Sequence, residues 1–172
     1  ILKDYNIKNV LHFAGLKSVS ESLKNPDKYF QNNVLGTKNL IDAMLDNQIK
    51  SIIFSSSATV YSNHHRVPWF EGLKLDIPAT PYGQTKYLNE RMLKFCSAEY
   101  GFRVGVLRYF NPIGFHDSGI IGEFHNSSNN FNTFDNNLIP AIVDVFLGRK
   151  ANLLIYGNDY KTKDGTGIRD YI

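Results

Sequence analysis

Apolar residues recur along the chain in short unbroken runs and in longer periodic stretches. NVLHFAG (residues 9 to 15) is a short apolar run ending in glycine, and it predicts a buried strand. NNVLGTKNLIDAMLDN (32 to 47) places Val34, Leu40, Ile41, Met44 and Leu45 at helical spacing, with Gly36 as its weak point. SIIFSSS (51 to 57) predicts a second buried strand that runs out into small hydroxyl residues. A helix is expected to begin near Tyr82, to carry Leu88, Met92, Leu93, Phe95 and Cys96, and to stop at Gly101. RVGVLRYF (103 to 110) predicts a third strand, LIPAIVDVFLG (138 to 148) a helix, and NLLIYG (152 to 157) a further short strand. Strands and helices in alternation, with continuously apolar strands, imply an α/β chain whose parallel sheet is covered on both faces. Ligands in such sheets collect outside the carboxyl ends of the strands. The polar strand tails AGLK, SSSATVY and YFNPIG lie there.

Composition narrows the class. At 172 residues the chain can bury a sizeable core, and 42% hydrophobic with 20% charged residues is ordinary for a globular domain. The net charge of +3 comes from scattered basic residues with no run that suggests nucleic acid. Cys96 is the single cysteine, so no intramolecular disulfide forms, in keeping with a reducing compartment. No apolar run approaches the roughly 18 residues of a membrane span, and the first residues have no signal-peptide pattern. The chain opens without Met and stops at GIRDYI without a helix cap or polar tail, and it is read as a fragment. HNSSNNFNTFDNN (125 to 137) reads as an exposed loop, and its Asn126-Ser127-Ser128 sequon as chance.

Tyr82 and Lys86 stand one helical turn apart, after a turn-forming Pro81 and downstream of the serine cluster. Side chains at i and i+4 share a helix face. A tyrosine near its ordinary pKa of about 10 is a poor base at neutral pH, and an adjacent ammonium or a positively charged cofactor ring favours its phenolate. Lowering that pKa by about three units needs roughly 4 kcal/mol, which only a partly water-excluded cleft supplies. Ser57 could complete a hydrogen-bond chain to a substrate oxygen. The chemistry served by such a device is proton removal from an alcohol whose carbon gives up hydride. Taken alone, a Tyr-x-x-x-Lys pair is also an ordinary feature of solvated helices.

HFAGLKSVSES, NNVLGTKNLIDAM, FSSSATVY, TPYGQTK, LRYFNPIG, NNLIP and YGNDYKTKDGTGIRDYI occur here in that order. Together they resemble the UDP-glucose 4-epimerase family of extended short-chain dehydrogenase/reductases. The likeness runs from about residue 9 to the end, and weakens between Trp69 and Thr80 and in the Asn-rich stretch. It implies a Rossmann-like, doubly wound fold. Residues 1–112 would be the C-terminal part of the NAD-binding domain and 113–172 the start of the UDP-sugar-binding region. It implies interconversion of UDP-galactose and UDP-glucose with bound NAD, through a 4-keto sugar, in cytoplasmic galactose metabolism. By position, Tyr82 matches the base, Lys86 the lysine that binds the nicotinamide ribose and lowers the tyrosine pKa, and Ser57 the serine at the sugar 4-hydroxyl. Phe13, Ala14, Gly15 and Lys17 match the strand end beside NAD, with Lys17 also on the substrate side. Ser55, Ser56, Asn32 and Tyr109 match further cofactor contacts. Asn111, Asn137, Leu138, Tyr156 and Arg169 match UDP-binding positions, with Tyr156 by the uracil and Arg169 near the diphosphate. The full-length protein would be a homodimer through helices at 32 to 47 and 83 to 100, with no nucleic-acid, membrane or metal partner.

The departures are local. Ser62 stands where the family usually has glycine after ATVY, and the Asn-rich stretch is longer than the family norm. The Gly-rich phosphate turn, which the family carries upstream, and the end of the sugar pocket are absent from these residues. His12 reads as a packed or hydrogen-bonded core histidine, Cys96 as core, and His64 and His65 as loop residues without ligand-spaced partners. Ser55 and Ser56 read equally well as strand-end hydroxyls, Arg169 as an ion-pair residue and Tyr156 as strand packing. A nucleotide-sugar 4,6-dehydratase or decarboxylase is the nearest alternative. The dehydratases carry an Asp-Glu pair where Ala58 and Thr59 follow Ser57 here. An inactive nucleotide-sugar-binding fragment is the other.

Overall fold

In the computed structural model, residues 1–61, 66–114, 116–120 and 137–172 are described. The readings of Ser62, of His64 and His65, of the sequon, and of the Asn-rich stretch up to residue 136 lie outside them. Two compact units follow one another, Ile1–Tyr109 and Phe110–Ile172.

The first unit is built on β1 (Val10–His12), β2 (Ser51–Ser57) and β3 (Arg103–Tyr109), all parallel and in the order β1-β2-β3. Val10 and His12 pair with Ile52 and Phe54, which pair in turn with Val104 and Val106. Between β1 and β2 run α1 (Val19–Lys24), α2 (Pro26–Tyr29), a π-helical turn (Phe30–Leu35) and α3 (Gly36–Asp46). After β2 comes a 3₁₀ turn (Ala58–Val60) and, past a loop, α4 (Pro81–Tyr100). The helix expected over 32 to 47 therefore starts inside a wider π turn, and Gly36 is its first regular residue rather than a weak point.

The core lies on one face of the sheet. Ile41 and Met44 of α3, Ile52 and Phe54 of β2, and Leu93 and Cys96 of α4 pack together with Ile49 and Phe102. Sequential strands that step in one direction through right-handed crossovers put both connecting helices on the same side. The opposite face consequently shows Leu11, Ile53 and Leu107 to solvent, with Leu11 65% exposed. The described helices of this unit cover one face of the sheet, so that among these residues the other face is exposed and β1 is only partly buried. Cys96 and His12 take the packed roles read for them. His12 Nε2 is 2.8 Å from Thr37 Oγ1, and its ring lies 5.6 Å from that of Phe54.

In the second unit α5 (Leu138–Phe146) begins at Asn137, and Asp144 faces Arg149 and Lys150 at 3.6 and 3.3 Å. Asn111 bridges to Tyr171 in parallel. Residues 152–157 form no strand, which corrects that expectation. Leu154, Ile155 and Tyr156 are exposed, and an apolar run without a neighbouring strand has no ladder to join.

Candidate active site

The stripe that α4 turns inward changes character along its length. Tyr82, Thr85, Lys86, Asn89 and Glu90 occupy its first half, and Leu93 and Cys96 its second, all buried at successive three- and four-residue steps. The apolar end anchors the helix in the core, and the polar end is thereby held against the carboxyl end of β2.

The start of α4 is closely specified. Thr80 caps it, its hydroxyl accepting from Gly83 N at 3.2 Å, and Pro81 takes the first turn, where its missing N–H costs nothing. Tyr82 N donates to Ser22 Oγ of α1 at 3.2 Å, so a second free amide of the helix end is satisfied by a neighbouring helix. Gly83 is required by space: a Cβ there would stand 2.8 Å from Pro78 Cβ and 3.3 Å from the carbonyl oxygen of Thr59. The approach of α4 to the turn after β2 brings Tyr82 beside Ser57.

Lys86 is only 6% exposed, and its Nζ donates to the Ser55 carbonyl at 2.7 Å. It lies 5.0 Å from the centre of the Phe54 ring and 5.8 Å from that of Tyr82. Burial pulls its pKa down to about 8. Its charge, after burial, also holds His12 down. Tyr82 is pushed above the ordinary tyrosine value by burial, against which a hydrogen bond with Ser57 and the charge of Lys17 pull it down. Lys86 donates to the Ser55 carbonyl, the charge that opposes burial at Tyr82 is that of Lys17, and desolvation outweighs it together with the Ser57 hydrogen bond. Ser57 Oγ accepts from Thr59 N at 3.2 Å and lies 3.0 Å from Thr59 Oγ1.

The remaining cofactor-side residues are placed unequally. Phe13, Ala14, Gly15 and Lys17 are exposed in the loop after β1, with the Phe13 ring 6.5 Å from that of Tyr109. Ser55 offers its carbonyl to Lys86, whereas the Ser56 hydroxyl turns to the helix side and donates to Glu90 Oε1 at 2.5 Å. Asn32 is exposed, and its neighbour Asn33 is buried. Asn33 accepts from Leu16 N at 2.8 Å, donates to Leu16 O at 2.9 Å and reaches Thr85 Oγ1 at 3.2 Å. Asn33, Thr85, Asn89 and Glu90 do not stand out in the sequence: their signal is the four-residue step from Asn33 to Thr37 and a polar inward stripe on α4, which apolar periodicity does not carry. Of the UDP-side residues, Asn111 Nδ2 donates to the Asp170 carbonyl at 2.8 Å, and Arg169 folds back on the Ile168 carbonyl at 2.8 Å. Leu138 opens α5 directly after Asn137, and Tyr156 is 67% exposed.

A phenol, a hydroxyl and an ammonium in one water-poor corner at the end of a parallel sheet can pass a proton to and from an alcohol oxygen. The comparisons agree with that chemistry. The model of the NAD dependent epimerase/dehydratase family matches residues 1–172. A UDP-glucose 4-epimerase of Yersinia enterocolitica is 47% identical over all of this chain and 50% of its own length. The crystal structure of the Bifidobacterium longum UDP-glucose 4-epimerase in complex with NAD+ and UDP superposes with a TM-score of 0.89 at 40% identity, over 99% of this chain and 50% of that one. The Stenotrophomonas maltophila UDP-glucose-4-epimerase with bound NAD and formylated UDP-arabinopyranose gives 0.87 at 42% identity, over 99% of this chain and 49% of that one. The chain spans about half the length of the curated relatives it matches.

Proposed function

The chain belongs to the NAD dependent epimerase/dehydratase family, and from that premise we propose that it carries the catalytic corner of a UDP-glucose 4-epimerase acting in galactose metabolism. The carrying observation is the burial of Tyr82 and Lys86 on one stripe of α4, with Ser57 hydrogen-bonded to the phenol. The loop after β1 fits a dinucleotide: a Cβ on Gly15 would fill the gap between Asn33 Oδ1 at 3.3 Å and Lys86 Nζ at 3.8 Å, so backbone alone leaves room there. Phe13, Ala14, Gly15, Lys17, Asn32, Ser55, Ser56, Lys86 and Tyr109 are the residues that would hold NAD. When bound, NAD would supply the acceptor and donor of the hydride at sugar C4, and its positively charged ring would favour the tyrosinate.

The protein's part is proton transfer and orientation. Ser57 holds the sugar 4-oxygen beside the phenol. Tyr82 accepts the 4-hydroxyl proton as phenolate and gives it back as phenol. A residue that must both take and return a proton is served by opposing influences, here burial pushing its pKa up and Lys17 with Ser57 pulling it down. Asn111, Asn137, Leu138, Tyr156 and Arg169 are the residues proposed for UDP, with the guanidinium suited to the diphosphate. Ala58 and Thr59 after Ser57 weigh against the dehydratase alternative, which needs acidic groups there to eliminate water. A cytoplasmic homodimer belongs to the same proposal, supported by the buried free thiol of Cys96 and by the apolar residues on the outer side of α4.

Conversion of UDP-galactose to UDP-glucose by the intact protein tests the reading, with Tyr82→Phe beside it. Turnover in the wild type and a loss of several orders of magnitude in the variant are expected. Folded, NAD-loaded wild type that leaves UDP-galactose untouched would sink it.

A further inference from the structure

Behind the proton-transfer residues lies an ion pair, Arg108 with Glu90, that the proposed chemistry does not use. Arg108 donates to Glu90 from Nε at 3.1 Å to Oε1 and from Nη2 at 2.8 Å to Oε2. The Ser56 hydroxyl donates to the same Oε1, and Arg108 Nη1 donates to Tyr61 Oη at 3.1 Å and to the Glu71 carbonyl at 3.2 Å. The guanidinium also lies 4.9 Å from the centre of the Tyr61 ring. Both partners are well covered, with side chains 17% and 9% exposed for Arg108 and Glu90.

The cluster joins four pieces of chain at one point. Arg108 is the cross-strand partner of Ser56, so β2 and β3 present guanidinium and hydroxyl side by side. Glu90, reaching from α4, closes on both. Arg108 then ties in the chain around Tyr61 and Glu71. A buried ion pair adds little to stability over well-packed apolar residues, but its geometry is demanding, so what it supplies best is registry. Here the registry concerns the catalytic residues directly. Glu90 is one turn beyond Lys86 and two beyond Tyr82 on the same stripe of α4. Ser56 lies between the serine whose carbonyl receives Lys86 and the serine that meets Tyr82.

We propose that Glu90, clamped by Arg108 and Ser56, is a positioning residue that sets the rotation and height of α4 against β2, and so aligns Tyr82 with Ser57 and Lys86 with the Ser55 carbonyl. This rests on the epimerase reading for its kinetic readout, and it has a second readout that does not.

The test uses the intact protein with Glu90→Gln, and with the apolar double variant Glu90→Leu/Arg108→Leu, which removes both charges and keeps the packing. The double variant is expected to melt within a few degrees of wild type and to lose about 100-fold in kcat, with KM for UDP-galactose changed less than about threefold. Glu90→Asp, which keeps the charge on a shorter arm, is expected to recover part of that kcat, whereas Glu90→Gln is not. Independently of turnover, the ultraviolet titration of Tyr82, read as the difference between each protein and its Tyr82→Phe counterpart, is expected to move to higher pH in the double variant. Tyr82 would lose alignment there with Ser57 and with the charge of Lys17, the two influences that pull its pKa down. A well-folded double variant with wild-type kcat and an unmoved Tyr82 titration would overturn the proposal, as would a Glu90→Gln protein with both unchanged should the double variant not fold. Wild-type protein silent on UDP-sugars would count against the epimerase reading alone, and the titration would still decide the role of Glu90.

Discussion

Lys86 carries a charge into a place that resists it. Its pKa falls from 10.5 to about 8 because burial removes water that the hydrogen bond to the Ser55 carbonyl only partly replaces. The sign of the consequence is definite. Below about pH 8 both folded and unfolded chains hold the proton, and the full burial penalty stands. Between there and the unfolded value the folded chain releases the proton first, so stability climbs with pH. Across that window wild type should gain about 3 kcal/mol relative to Lys86→Met, at about 1.4 kcal/mol per pKa unit. Urea unfolding of the two intact proteins at a series of pH values measures it, and parallel curves would mean that Lys86 is not held in a water-poor site. At this scale Ser57, Tyr82 and Lys86 were legible, because a hydroxyl run and a one-turn Tyr–Lys step stand out and the surrounding blocks match a known pattern. Lys17 as the charge that acts on Tyr82 was not, since five residues beyond β1 nothing in local spacing says where an ammonium will point.

α4 is the element on which the site depends, and its parts can be separated experimentally. Its start is held by Thr80, Pro81 and the close fit of Gly83, and Gly101 ends it in left-handed backbone at φ 69°. Alanine at Gly83 would force its methyl into Pro78 and the Thr59 carbonyl, pushing the helix away from the turn after β2. The expected cost is about 1–3 kcal/mol of stability. A fall in kcat larger than at an equally destabilised core position such as Met44→Ala would mark the displacement of Tyr82 from Ser57. Equal losses at the two sites would mean that the fit of Gly83 serves folding alone. The limits of β2, α4 and β3 were readable because capping residues, a terminal glycine and apolar periodicity agree locally, whereas α1 and α2 show no such agreement. The π turn was not readable, since Asn33 is drawn inward by the Leu16 backbone, far away in sequence. The strand expected at 152–157 failed for the converse reason: an apolar run states a preference, and a strand also needs a neighbour.

At the largest scale these residues offer, the strand order of the first unit decides where its helices lie. Three strands stepping in one direction place α3 and α4 together on one face, and so put the outer surface of α4 at the periphery of the first unit. That surface carries Leu88 and Phe95 seven residues apart, and Phe95 meets Tyr100 edge-on at 5.8 Å. Two large apolar side chains in one row on a helix that already buries its opposite stripe suit a self-complementary contact, in which the same row on a second copy supplies the cover. The intact protein should therefore sediment as a dimer at micromolar concentration, and Phe95→Glu should shift it toward monomer by at least tenfold in dissociation constant. A charge on this face leaves the inward stripe untouched, so the monomeric variant should retain its fold by circular dichroism. A wild-type protein that sediments as a monomer at micromolar concentration would remove the homodimer from the proposal. It would leave Tyr82, Lys86 and Ser57 where they are, because the hydrogen bonds that position them all lie within one copy.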